Sequence, residues 1–159
     1  MKARTIALTI ALTIALCFIA VSAFAGSDAL MGTWKLNEAK SKLPPGATKI
    51  HTVIYEAIGD QVKVTVKSTT AKGKSVQSEW TGKFDGKLYP VTGDPDADQV
   101  SFKEVSDRTL DITSKKSNRV GSSTARIVVA PDGKSRTVTA DWMDSSGMLM
   151  KIVAVYDKQ

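Results

Sequence analysis

Cysteine is almost missing. Of 159 residues only Cys17 carries a thiol, and it lies inside an apolar leader-like stretch near the start. With that stretch removed no disulfide can staple the fold, so stability has to come from core burial and backbone pairing. Histidine is as scarce: His51 stands alone, without a neighbouring carboxylate or nucleophile in sequence. A zinc site built on several His or Cys ligands is therefore excluded, and Ser-His-Asp catalysis would have to recruit this one residue. Neither a Gly-x-Ser-x-Gly elbow nor a glycine-rich phosphate loop occurs. Arginines form no cluster, and the lysines are scattered one or two per segment with Lys115-Lys116 the densest pair, which suits solvated strand faces better than a nucleic-acid patch. Helical periodicity is absent too. Asn37 to Lys42 has room for one turn before Pro44-Pro45-Gly46 ends it. What remains, 42% apolar and 24% charged, is the composition of one globular domain.

The start of the chain reads as a secretory signal. Lys2 and Arg4 precede Thr5 to Phe24, which carry no charge, and Ala23-Phe24-Ala25 has the small-x-small form of a cleavage site. The division predicted is a signal over residues 1–25 and one domain over 26–159, exported to the periplasm or secreted from a bacterium. Uncleaved, the run is long enough to cross a bilayer; cleavage leaves no stable membrane span. Lipid attachment at Cys17 is disfavoured by the bulky Leu16 before it and by the apolar residues that continue to Phe24. Without Lys2 and Arg4, 20 basic residues face 16 acidic ones, a net charge of +4.

Beyond Thr33 the dominant pattern has a period of two. In Gln61 to Thr70, Val62, Val64 and Val66 alternate with Lys63, Thr65 and Lys67, one dry face and one wet face. Lys49 to Ile58 is apolar on both faces and is expected to lie under other cover. Gly59-Asp60, Lys72-Gly73, Asp85-Gly86, Asp107-Arg108, Asp132-Gly133 and Ser146-Gly147 separate successive runs, and Asp-Gly favours hairpins because it accepts positive φ. The strands read are 32–37, 49–58, 61–70, 75–84, 87–92, 99–105, 109–116, 122–130, 135–143 and 148–156. About ten short antiparallel strands joined neighbour to neighbour predict an all-β, up-and-down meander that closes into a barrel and so removes its edges. A two-sheet sandwich is the competitor, but it usually needs long crossovers. The inward set on the later strands is Val100 and Phe102, Leu110 and Ile112, Ile127 and Val129, Val138, Ala140 and Trp142, and Met148, Met150 and Ile152.

Gly32-Thr33-Trp34 opens the first strand, followed by Lys35-Leu36-Asn37, Ala39-Lys40-Ser41 and, further on, Asp85-Gly86-Lys87-Leu88-Tyr89-Pro90-Val91-Thr92-Gly93. These stretches resemble small secreted bacterial lipocalin-like proteins of the calycin superfamily, over most of the segment after the leader. The resemblance implies that Gly32 and Trp34 are structural, with the tryptophan packed across the closed end of the barrel. It also implies an arginine stacked on Trp34 from a late strand. The last strand offers Lys151 there, with Arg126 or Arg136 as substitutes from a neighbouring strand. The two-helix lid of fatty-acid-binding barrels is lacking.

Function is read from that resemblance: a non-catalytic, exported binding protein for a small apolar or amphipathic molecule, acting as a monomer without cofactor or nucleic acid, its protein partners unspecified. Trp80, Phe84, Phe102, Trp142 and Met150 are nominated to line the cavity, with core packing as the alternative for each. The competing reading is an envelope structural or protein-interaction module whose barrel is solid; a hydrolase or isomerase working through scattered carboxylates comes third. Asp94, Asp96 and Asp98 alternate along one loop, but the glycine and closing glutamate of a calcium loop are missing, so a solvated acidic loop is expected there and no metal site.

Overall fold

The computed structural model describes residues 28–118, 120–143 and 148–159, without the side chains of 142 and 143. The leader reading, its cleavage after Ala25 and the Ser146-Gly147 turn lie outside the described residues. Ten strands follow in chain order: β1 (Gly32–Leu36), β2 (Lys49–Ile58), β3 (Gln61–Thr69), β4 (Ser75–Gly82), β5 (Tyr89–Thr92), β6 (Gln99–Ser106), β7 (Thr109–Lys115), β8 (Ser123–Val129), β9 (Ser135–Met143) and β10 (Leu149–Lys158). Each pairs antiparallel with its neighbour in the chain, and β10 returns to β1 through Trp34 opposite Lys158 and Leu36 opposite Tyr156. The sheet closes into a barrel, so the edge that ten hairpin-linked strands would otherwise expose is gone.

Turn chemistry sets the meander. Gly59 between β2 and β3 (φ +60°) and Gly133 between β8 and β9 (φ +69°) take backbone conformations that a side chain would strain. The β4–β6 seam is the least regular. Pro90 shortens β5 because it has no N–H to donate, and each of its ladders holds only two residue pairs. The backbone between β4 and β5 stitches the gap: Glu104 N–H donates to Phe84 O at 3.1 Å and Gly86 N–H to Phe102 O at 2.9 Å. The expected turn after β1 is a single 3-10 turn, Glu38–Lys40, capped by Asn37 Oδ1, which accepts from Lys40 N–H. Among the described residues no helix is long and apolar enough to cross a membrane.

Parity along the strands assigns the interior as the alternation predicts, with two corrections. Met148, expected inward, stands just before β10 begins and is 62% exposed. On β2, Val53 and Tyr55 point inward and are buried, but Ile54 is only half-buried and Ile58 is 50% exposed. A one-layer barrel wall has no second layer outside it, so the apolar outer face of β2 meets solvent.

The candidate ligand cavity

The 28–31 segment and the short turns after β2, β6 and β8 gather at one end of the barrel; the longer 37–48, 93–98 and 116–122 connections gather at the other. At the first end the interior is solid. Trp34 is fully buried, and its indole Nε1 donates to Leu30 O at 2.8 Å, tying the segment before β1 beneath the barrel. Gly32 lies two residues before it with φ +100°.

The arginine implied by the resemblance is Arg136, on β9. Its guanidinium carbon lies 4.9 Å from the Trp34 ring centroid and 5.0 Å from those of Tyr55 and Tyr156. Arg136 is 2% exposed, and its Nε and Nη1 have no hydrogen-bond partner. Three aromatic faces therefore carry much of the stabilisation of this buried cation, an arrangement suited to a planar guanidinium. Arg126 instead forms a two-pronged bond to Asp111 on the outer face, and Lys151 approaches Asp141. Tyr156 donates its hydroxyl to Ile50 O at 3.2 Å, and burial pushes that hydroxyl up to about 12 from its ordinary 10.0.

Above this plug sits an aromatic layer. Trp80 donates Nε1–H to Val100 O at 2.9 Å and packs edge-to-face on Phe102 at 4.6 Å. Phe84 stacks on Trp80 at 6.3 Å and also meets Phe102 and Tyr55. Gly82 makes room for this layer, since a Cβ there would fall 2.6 Å from Trp80 Cζ2 and 2.7 Å from the Tyr89 ring.

The interior then opens into a cavity of about 260 Å³. Its cause is visible in the register. Ile112, Ala125, Ala140 and Ile152 form one rung across β7, β8, β9 and β10, and two of the four are alanines. Ser78, Ser114 and Ala154, also on the lining, are equally short, so the wall cannot reach across the interior. Trp80, Phe102, Val64 and Tyr156 border the cavity on the plug side; Leu36, Leu43, Thr48, Ile50, Val91 and Asp94 border it toward the loops. Among the described residues, only Thr48, Ser78, Asp94, Ser114 and Tyr156 bring polar side chains to a mainly apolar lining, the usual make-up of a small-molecule site. A second hollow of about 480 Å³ lies over β7, β8 and β9, but Asp111, Arg126, Asp141 and Lys151 give it a charged, open surface.

Of the nominated lining residues, Trp80 and Phe102 border the cavity. Phe84 does not; it packs against the rings of Trp80, Phe102 and Tyr55 instead. Met150 is half-buried on β10 and also off the lining, because the rung that walls the cavity passes through Ile152 instead. Trp142 pairs with Met150 on the sheet, and its side chain lies outside the described residues. The sequence reading has Ala140 inward but does not single out Gly82 or Ala125, nor small residues as the cause of a cavity. Their signal in sequence is a small residue at an inward strand position. In the acidic loop, Asp94 Oδ1 accepts from Asp96 N–H at 2.7 Å and Ala97 N–H at 3.1 Å. Asp98 bonds Lys116 at 2.8 Å and Ser117 N–H, which hold its carboxyl well below the usual range.

Fold and cavity together define a closed antiparallel β-barrel with an apolar interior chamber. No family model and no curated protein matches the chain. Among solved structures it is similar to that of EF1p2_mFAP2b bound to DFHBI, at 10% identity over 84% of this chain and 97% of that one, with a TM-score of 0.46. A likeness this distant adds nothing to the argument from the cavity.

Proposed function

We infer that this protein is a non-catalytic binding protein for a small apolar or amphipathic molecule, exported to the periplasm or beyond the cell. The observation that carries the reading is the 260 Å³ chamber, walled by aliphatic and aromatic side chains and made by short residues at inward positions of an otherwise well-filled barrel. Its volume falls just under the roughly 300–1,000 Å³ of sites for drug-sized compounds, which limits an occupant to about one ring or a short chain. The leader-like first 25 residues support export. The scarcity of histidine and the absence of a nucleophile motif support the non-catalytic part.

The test is a titration of the purified protein with n-hexanol and with indole, followed by methyl NMR. Saturable shifts are expected at Ile112, Val138 and Ile152 and not at Leu110, which faces the solid end. Shifts that never saturate, or that are as large at Leu110, would return the barrel to the solid interaction-module reading.

A further inference from the structure

The chamber has a polarity that its apolar lining alone does not reveal. Among the described residues Asp94 is the one charged side chain on the lining, and it stands toward the loops. One carboxylate oxygen, Oδ1, is held by the backbone N–H groups of Asp96 and Ala97, and Ala97 is itself buried at 4% exposure, so the loop presents the carboxylate from a fixed support. No side chain of a described residue donates to the other oxygen or pairs with it as an ion. The lysine bonded to this loop, Lys116, is committed to Asp98 at 2.8 Å. The opposite charge lies beyond the other end of the chamber: Arg136, a buried cation with two unpaired nitrogens, faces Tyr156 on the plug side and is screened from the lining by aromatic rings.

We propose that the ligand is amphipathic with a hydrogen-bond-donating, positively charged head, a primary amine on a short apolar body, its ammonium at Asp94 and its apolar end against Trp80 and Phe102. The inference rests on the reading of the cavity as a ligand site and adds a sign to it. An ammonium there gains a charge-assisted bond to an acceptor that is already held in place. A carboxylate head meets like charge at the mouth and cannot reach Arg136 without parting the rings that enclose it. Thr48 and Ser114 hydroxyls border the same chamber.

Three ligands sharing one chain separate the possibilities: n-hexylamine, n-hexanol and n-hexanoate, titrated at pH 7 and 0.15 M salt by methyl NMR. The amine is expected to bind about tenfold or more tightly than the carboxylate, with the alcohol between, the size of one charge-assisted contact at a partly solvated site. Asp94→Asn keeps the carbonyl oxygen that accepts from Asp96 and Ala97, so the loop stays in place while the charge goes. It should bring the amine-to-carboxylate ratio near one while n-hexanol still saturates the chamber. Equal or inverted affinities in the unmodified protein, or a preference that survives Asp94→Asn, overturns the proposal while hexanol binding still upholds the cavity. Failure of hexanol to saturate any site removes both.

Discussion

Toward the short-turn end, the inward positions of the barrel carry Trp34, Leu110, Ile127 and Arg136, each no more than 2% exposed; toward the loops they carry Ser78, Ser114, Ala125 and Ala140. Strands, pairing and parity are shared between the two halves, and only side-chain size changes. In the first half the rings and branched chains meet across the interior and close it. In the second they stop short and leave a chamber. A barrel of this strand number is wider than ordinary side chains fill easily, so a solid end needs residues as large as Trp34 and a guanidinium packed on three rings, whereas a hollow end needs only alanine and serine.

Deleting the largest piece of the solid half tests that contrast most severely. Trp34→Ala removes a fully buried indole and its bond to Leu30 O, and should cost roughly 3–5 kcal/mol in urea unfolding. A loss below about 1 kcal/mol would mean that this end is not the structural plug. Next comes alkali. Tyr156 is neutral in the fold and its hydroxyl is pushed up to about 12 from 10.0. Its contribution is therefore complete below pH 10 and disappears as the pH climbs through 12, by roughly 2–3 kcal/mol in all. Tyr156→Phe should flatten the stability curve over that interval, and an unchanged alkaline slope would show that the loss arises elsewhere. The smallest stability effect belongs to the hollow half. Ala140→Leu adds volume where space already exists, so the unfolding free energy should change by no more than about 1 kcal/mol while n-hexanol binding disappears. A loss of stability like that of Trp34→Ala would show that the chamber is not open to filling.

Much of this architecture is legible without coordinates. Val62, Val64 and Val66 announce a strand with one dry face, and Gly59 and Gly133 mark hairpins that an L side chain would strain. A succession of such hairpins leads to closure. The same local rule could not choose between Arg126 and Arg136 as the partner of Trp34, nor separate Trp80, which borders the chamber, from Phe84, which does not. All four positions satisfy simple criteria of residue type.

The division has a physical cause. Alternation and turn conformation are decided by neighbours a few residues away, so the strand faces, the meander and the scarcity of helix follow from the order of residues along the chain. The solid plug, the alanine rung of β8 and β9 and the placing of Asp94 on the chamber depend on how far closure and stagger bring one wall toward another. Those distances exist only once all ten strands are joined.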